Sequence, residues 1–368
     1  MKKTFQKLKN YLPIWSAVLF CIFFVSLIVN GAIKRNPVFA NAIHETVGAG
    51  IRAFMSTVTS WIPFSLAEML LILSPVLLFF ICFFMIRKLR RSLTDGIRYF
   101  LGFLSCISIV FTLLVFGYNA SFYGESVEAK VGIERKDLSK EQLYDTAILL
   151  IDSIREDIPQ IHYPENTYSE MTFSYSDMNK KLNEAYQTLS EQYPSFQELY
   201  TNTKPVMLSE PWTYTHISGM YTFFTGEANV NVNYPDFVMV SSAAHEMAHQ
   251  RGIGKEDEAN FVAFLVCSLS DDPYIRYSGY MDVLNDVLIK LSSADSELYK
   301  KVREYMPREL NEEFTAYSVF FDKYRENVAA TVSTTVNNAY ISSHNQPQGV
   351  MSYGLVVDLV AAYMLNEK

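Results

Sequence analysis

Three long stretches without charge are the feature that most constrains what this chain can fold into. No charged residue occurs from Tyr11 to Ile33, from Met69 to Ile86 or from Tyr99 to Gly124. Each stretch reaches or exceeds the roughly 18 apolar residues that a helix needs to cross a bilayer core. After Glu125 no comparable stretch is evident. The sequence therefore predicts a membrane module over residues 1–120 and a second domain over residues 121–368.

The module is expected to be held in a lipid bilayer by three helices. These spans are predicted at about residues 11–33, 66–86 and 99–119. Lysines before the first stretch would also suit a cleaved signal peptide, but its apolar part is too long and no small-x-small cleavage site follows. Pro75 lies inside the second stretch, a position that spanning helices tolerate when neighbouring groups satisfy the freed carbonyl.

Positive charge predicts the orientation of these spans. Four lysines precede the first stretch, and five Lys and Arg residues lie between 87 and 98, whereas the segment from Lys34 to Trp61 carries only three. Because cytoplasmic loops are enriched in Lys and Arg, the N-terminus and the Arg-rich segment should be cytoplasmic. Three crossings then leave everything after about Ala120 outside the cytoplasm.

The second domain is strongly acidic. Residues 1–120 carry 12 Lys and Arg against 3 Asp and Glu, whereas the remainder carries 19 basic and 36 acidic residues. Such a domain is a poor candidate for binding nucleic acid, and anionic lipid headgroups should repel it. Cys267 is its only cysteine, so its fold must rest on its own core or on a bound metal rather than on disulfides.

Periodicity in the second domain predicts an α+β fold that is mostly helical. Helical spacing of apolar residues marks residues 139–157 and 176–192, the latter with Ser176 and Asp177 as cap candidates. Alternating β-rich segments at 219–225 and 228–234 indicate a hairpin or adjacent strands. Helices resume at about Val238, so a small sheet should directly precede the helix that carries the key motif.

That motif is His245-Glu246-Met-Ala-His249. Residues four apart lie on one helical face, so both imidazoles can reach one Zn²⁺. Glu246 follows the first histidine and can act as general base towards a water that the metal has acidified. Small flanking residues and Gly252 shortly after His249 favour a metal site over a surface helix with two chance histidines.

A catalytic zinc normally has three protein ligands, and the third is expected from the next helix, predicted from Glu256 to about Ser270. Glu256 shares a stripe with small residues that would allow close packing, whereas the stripe of Glu258 is bulkier. Glu256 is the favoured ligand and Glu258 the alternative. Three acids at this place could also serve only the helix dipole.

The motif followed by Glu256-Asp-Glu-Ala-Asn260 resembles the Glu-zincin metallopeptidases. The resemblance implies a zincin-like domain, a third ligand from the downstream acidic motif and a role for Asn260 in orienting a ligand histidine. The longer block, which comprises His245–Ile253 and Glu256–Phe261, follows three predicted spans. It is similar to an uncharacterised bacterial domain-of-unknown-function family of membrane-anchored predicted zinc peptidases. That similarity implies a location in the bacterial cytoplasmic membrane. Only six residues separate His249 from Glu256, fewer than in most Glu-zincins, and Lys255 stands where the metzincins have a third histidine.

Other groups could complete a peptidase site. Peptide hydrolysis needs a donor for the developing oxyanion, and Tyr340, His344 and Tyr353 are candidates in a polar C-terminal segment. By analogy with zincins, the strand at Ala228–Tyr234 could bind extended substrate, or it could be an ordinary exposed strand.

Together these observations predict a membrane-anchored zinc-dependent hydrolase that acts on a peptide or protein. His245, His249 and Glu256 would bind Zn²⁺, Glu246 would be the base, and His344 or Tyr353 would assist. The alternative is a catalytically inactive membrane scaffold or sensor with a structural metal.

Overall fold

The structure is a computed structural model that describes residues 11–164 and 168–366. Its internal contacts divide the chain into two compact units. The first comprises Met1–Gly124 and the short segment Phe223–Gly226, and the second comprises Glu125–Thr222 and Glu227–Lys368. The sequence-based domain boundary after residue 120 stays a prediction.

The first unit is helical throughout its described elements. Its α-helices are α1 (Ile14–Ile33), α2 (Pro37–Ile43), α3 (Ala49–Ser60), α4 (Leu66–Arg91) and α5 (Leu93–Leu113). A π-helical turn and a 3-10 turn continue α5 to Phe122. Helix α5 packs against both α1 and α4. Arg52 of α3 is buried and donates to the carbonyl oxygens of His44 and Gly117, so the segment between the first two apolar helices is itself folded.

Several helices are long and apolar enough to cross a membrane. Among the described residues they are Ile14–Ile33, Leu66–Arg91, Leu93–Phe122 and Gly349–Asn366. The sequence-based count of three is therefore one short of the candidates. The fourth was missed because Asp358 and the polar residues near 350 interrupt its apolar pattern. Its valines and leucine at 356–360 are buried in the core of the second unit.

The second unit is also mostly helical. Its helices are α6 (Val127–Val131), α7 (Lys140–Asp157), α8 (Tyr175–Gln192), α9 (Ser209–Thr213), α10 (Asp236–Gln250), α11 (Glu256–Ser268), α12 (Pro273–Ala294), α13 (Ser296–Tyr305), α14 (Arg308–Asp322), α15 (Val328–Ser343) and α16 (Val356–Asn366). The helices predicted at 139–157 and 176–192 are confirmed. The second begins one residue earlier than predicted, because Ser174 rather than Ser176 caps it, in a capping box with Asp177.

A three-stranded sheet precedes α10. Its strands are β1 (Lys204–Pro205), β2 (Gly219–Thr222) and β3 (Glu227–Val230), in the order β1-β3-β2. Strands β2 and β3 form the predicted antiparallel pair, whereas β1 joins β3 in parallel. Strand β3 is therefore central, and β2 has a free edge. The interpretation of Ala228–Tyr234 as a substrate-binding or exposed edge is wrong.

The asparagines of Ala228–Tyr234 also do not form the exposed edge that the sequence suggested. Asn229 and Asn231 are buried, and their amide groups donate to the Met220 and Ile217 carbonyls. Asn233 donates to Thr213 and Tyr324. These amides fasten β3 and the residues after it to their surroundings and do not face solvent as a row. The sequence alternation was real, but residues 228–231 are buried on both faces, and Val232 is the exposed residue of the segment.

Helices α10, α11 and α12 pack against one another, and the sheet packs on α10. Small residues at the contacts, including Ala243, Ala244, Ala248, Ala259 and Ala263, are almost fully buried. Small side chains allow helix axes to approach closely because little volume has to be fitted between them. This close packing fixes the side chains that α10 and α11 present to each other.

Candidate metal centre

Helix α10 places His245 and His249 one turn apart, as their spacing predicts. The ring centroids of the two imidazoles are 4.6 Å apart, and the ring planes are nearly perpendicular. His249 is buried, and His245 keeps a small exposed surface. The helix therefore brings both rings to one place at the boundary between core and solvent.

The turn after α10 completes the surroundings of His249. Gly252 has a φ of +93°, and its N–H donates to the His249 carbonyl while the Ile253 N–H donates to the Ala248 carbonyl. This hydrogen-bond pattern is the Schellman motif, which favours glycine at the left-handed position. The turn places the Ile253 carbonyl oxygen 2.7 Å from His249 Nδ1. With Nδ1 held by that carbonyl, Nε2 is the ring nitrogen that faces Glu256 and the site.

Helix α11 begins immediately after this turn and brings Glu256 to the histidines. Glu256 Oε2 lies 3.3 Å from His245 Nε2 and 3.4 Å from His249 Nε2. One ligand atom from each of the three residues lies within 4.8 Å of the other two. Of the His, Cys, Asp and Glu side chains that the structure describes, these three form the group that could hold a metal ion. The six residues between His249 and Glu256 are therefore enough to bring the carboxylate to the imidazoles.

Charge within the group follows from this geometry. Burial alone would lower the pKa of His249, but the Glu256 carboxylate outweighs it and raises that pKa to about 9. Burial would likewise raise the pKa of Glu256, but the facing imidazoles hold it well below its usual range. Glu256 is therefore a carboxylate with a negative charge that needs a cation. Without a metal, the protonated imidazole of His249 supplies it.

Glu246 lies beside the group and under the free edge of β2. Burial raises the pKa of its carboxyl group, and the backbone N–H of Tyr221 donates to it. Among the described residues, Glu246 Oε2 is buried and has no hydrogen-bond partner. Gly219 makes room for this side chain, because a Cβ there would lie 2.6 Å from Glu246 Cγ and Oε1. One oxygen is thus held and the other is left available.

The outer edge of β2, which faces away from β3, lies beside Glu246. The Asn231 N–H donates to the Ser218 carbonyl, so Ser218 and Asn231 form a hydrogen-bonded pair. Because hydrogen-bonded and non-hydrogen-bonded pairs alternate along antiparallel strands, Gly219 and Tyr221 direct their N–H and C=O groups away from β3. These outward-facing backbone groups lie next to Glu246, and one of them, the Tyr221 N–H, donates to it. An extended chain could add to the sheet at this edge.

The other residues predicted for the site are placed differently. Glu258 is buried and forms an ion pair with Lys255, with Nζ 2.7 Å from Oε1, so the structure brings Glu256 and not Glu258 to the imidazoles. His344 Nδ1 contacts the Tyr340 carbonyl oxygen in its own helix, and His344 is not part of the three-residue group. Tyr353 follows α15 in a 3-10 turn, and its side chain lies outside what the structure describes.

Tyr340 of α15 is the candidate oxyanion donor that the structure places near the site. Its hydroxyl lies within electrostatic range of Glu256 and Tyr221, and burial followed by the Glu256 charge raises its pKa. The tyrosine is nonetheless 38% exposed. It therefore lies at the surface of the second unit rather than in the core.

Sequence reasoning missed two residues that adjoin the group. Asp282 of α12 accepts a hydrogen bond from Ser241 and lies within electrostatic range of His245. The Gln346 side chain bridges the start of α11, because its Oε1 accepts from the Glu256 N–H at 3.2 Å and its Nε2 donates to Asp257 at 3.1 Å. No local pattern marks either residue. Both reach the site only through tertiary packing.

Fold and site together define a mostly helical protein with several helices able to cross a membrane and a largely buried His–His–Glu group. The chain belongs to the family described as Protein of unknown function (DUF3810), whose model matches residues 44–361. The match includes α10, α11 and every residue of the group. Comparisons with curated proteins and with solved structures found no match.

Proposed function

We propose that this protein is a membrane-anchored zinc-dependent peptidase. The observation that carries the proposal is the convergence of His245 Nε2, His249 Nε2 and Glu256 Oε2, with Glu246 beside them. Two ligands at about 2.0–2.1 Å from a tetrahedral zinc ion are about 3.3–3.4 Å apart. The separations between Glu256 Oε2 and the two imidazole nitrogens, 3.3 and 3.4 Å, fit this value.

The donor chemistry also fits zinc. Two imidazole nitrogens and one carboxylate oxygen form a set that catalytic zinc sites use, with a fourth position open to solvent. The Ile253 carbonyl orients His249 for metal binding, since it holds the Nδ1 proton. Zinc held there would supply a Lewis acid that acidifies water and polarises a carbonyl group.

The chain's own residues would then divide the work. Glu246 would take a proton from the attacking water through its free Oε2 and pass it to the leaving amine. The burial that raises its pKa suits it to hold a proton between these steps. The Tyr340 hydroxyl would donate to the developing oxyanion. The backbone groups of Gly219 at the outer edge of β2 would align the substrate backbone, which favours an extended peptide over a small hydrolysable ester.

The proposal includes an anchor and an orientation. Helices α1, α4 and α5 would span the membrane, with the N-terminus and the basic end of α4 in the cytoplasm and the second unit outside. The basic residues Lys88, Arg90 and Arg91 in the last turn of α4 support this orientation. An added protease should therefore digest the second unit from outside intact cells. Its protection there would overturn the orientation.

The decisive experiment separates metal binding from catalysis. Full-length protein, Glu246→Gln, His249→Ala and the control His162→Ala are purified, and their zinc content and cleavage of a fluorogenic peptide library are measured. His162 is an exposed histidine outside the group. We expect about one zinc per chain in all but His249→Ala. We expect Glu246→Gln to lose about 100-fold or more of the cleavage rate while it keeps zinc.

Other results would point elsewhere. Full activity in Glu246→Gln would contradict the assignment of the base. Bound zinc without cleavage of any library member by the unmodified protein would favour the alternative, a scaffold or sensor with a structural metal. Equal zinc in His249→Ala and the unmodified protein would remove the metal centre itself.

A further inference from the structure

A cavity of about 300 Å³ opens between α12, α13 and α14. Each helix contributes residues spaced three or four apart, so each presents one face to the same space. Tyr299 comes from α13, and Phe314, Tyr317 and Phe321 come from α14. All four rings are partly exposed. The volume is at the small end of ligand pockets and suits one aromatic or branched apolar group.

The cavity also carries positive charge in an otherwise acidic unit. Arg303 and Arg325 both line it. Arg325 is already engaged, because its Nε lies 2.7 Å from Asp322 Oδ1 and one terminal nitrogen donates to Ser318. Arg303 donates to the Met306 sulfur at 3.8 Å, and no carboxylate of the described residues forms an ion pair with it. The two arginines and Asp322 together leave about one positive charge.

We propose that this cavity binds a carboxylate attached to an aromatic or branched apolar group. Arg303 pairs with the carboxylate through its planar guanidinium, and the four aromatic rings enclose the apolar part. A monoanion balances the single uncompensated charge, whereas a phosphate dianion would exceed it. The C-terminus of a peptide and a free small acid share this chemistry.

This site stands independently of the metal centre, because none of His245, His249 and Glu256 lines the cavity. Its test therefore measures binding and not cleavage. The full-length protein in lipid nanodiscs is titrated with N-acetyl-phenylalanine, with its neutral amide and with the peptide acetyl-Gly-Gly-Phe, and binding is followed by saturation-transfer NMR and calorimetry. Glu246→Gln protein is used alongside, so that the peptide stays intact.

Arg303→Met keeps the length of the side chain and removes its charge. The matched control is Arg308→Met, since Arg308 is exposed, pairs with Glu312 and lies outside the cavity. We expect the acid to bind at least about tenfold more tightly than the amide, and Arg303→Met to lose at least about tenfold in affinity for the acid. Arg308→Met should bind as the unmodified protein does.

Comparison of the two acids identifies the source of the ligand. Tighter binding of the peptide supports recognition of a peptide C-terminus, and equal binding supports a free acid. A second variant, Ser292→Trp, fills the exposed rim and should abolish binding even if Arg303→Met does not fold. Equal affinity for acid and amide, unchanged affinity in folded Arg303→Met, or no binding of any probe would overturn the proposal.

Discussion

The helix pair α10 and α11, which carries His245, His249 and Glu256, differs sharply in packing from α15, the helix that carries Tyr340. In α10, 12 of the 15 residues are buried, and in α11, 11 of 13 are. In α15 only Ala330 and Ile341 of 16 residues are buried. The histidines and Glu256 are therefore positioned by the core, whereas Tyr340 is positioned by a helix that the core hardly restrains.

Polar contacts link the turn after α15 to the start of α11, and link α15 to that turn. Gln346, just after α15, holds the start of α11. Asn338 accepts from the Val350 N–H and ties α15 to the turn that follows it. A site with a rigid half and a loosely held half can keep its metal geometry while the loose half adjusts to substrate. Variants in the two halves should therefore affect different quantities.

The largest effect is expected from the loose half. Tyr340→Phe removes the hydroxyl proposed to donate to the oxyanion, and kcat for peptide cleavage should fall by about 100-fold or more. Zinc content and the melting temperature should stay unchanged, because the side chain is partly exposed and no metal ligand is altered. Tyr305→Phe, at another partly exposed tyrosine, serves as control. An equal fall in kcat for Tyr340→Phe and Tyr305→Phe would contradict a specific role for the Tyr340 hydroxyl.

In the rigid half, Gly219→Ala should reduce kcat by about 100-fold while zinc is retained. The added methyl group would lie 2.6 Å from Glu246 Oε1, so the proposed base has to move. Gly354→Ala is the matched control, because nothing lies within 4 Å of its added methyl group. Zinc analysis and single-turnover cleavage would be measured together. A normal kcat in Gly219→Ala would contradict the claim that catalysis needs the Glu246 carboxylate at its present position.

A stability comparison addresses the packing directly. Ala248→Val overfills the core at a fully buried position and should lower the free energy of unfolding by about 1–3 kcal/mol. Val332→Ser changes a residue of α15 that is 57% exposed and should alter it by no more than about 0.5 kcal/mol. Thermal unfolding of both proteins in the same detergent gives the measurement. Similar losses would show that α15 is as tightly packed as α10.

The smallest effect concerns pH. Burial and the neighbouring Asp282 raise the pKa of Asp286 from 3.8 to about 7, so the folded protein favours the protonated acid. The contribution to stability is present below about pH 4 and is lost as the pH rises towards 7. Asp286→Asn should therefore raise the melting temperature at pH 8 and raise it much less at pH 4.5. A gain of the same size at both pH values would contradict the raised pKa.

Local patterns predicted what depends on local geometry. The spacing of His245 and His249 required only one helical turn, and the small residues that share a stripe with Glu256 favoured its position over that of Glu258. The structure places Glu256 beside the imidazoles and Glu258 beside Lys255, and the choice of Glu256 as metal ligand stays a prediction, as do the roles of the histidines. Tyr340, Asp282 and Gln346 could not be placed, because each reaches the site from a helix or turn that is distant in sequence. The central position of β3 was hidden because its second neighbour, β1, has only two residues.

The most direct test of the account is a comparison of two neighbouring acids. Glu256→Ala and Glu258→Ala are made in the full-length protein, and zinc per chain is measured after dialysis against a weak chelator. The account predicts that Glu256→Ala loses its zinc, whereas Glu258→Ala keeps about one ion per chain and loses only its ion pair with Lys255. Retention of zinc by Glu256→Ala, or its loss from Glu258→Ala alone, would contradict the account.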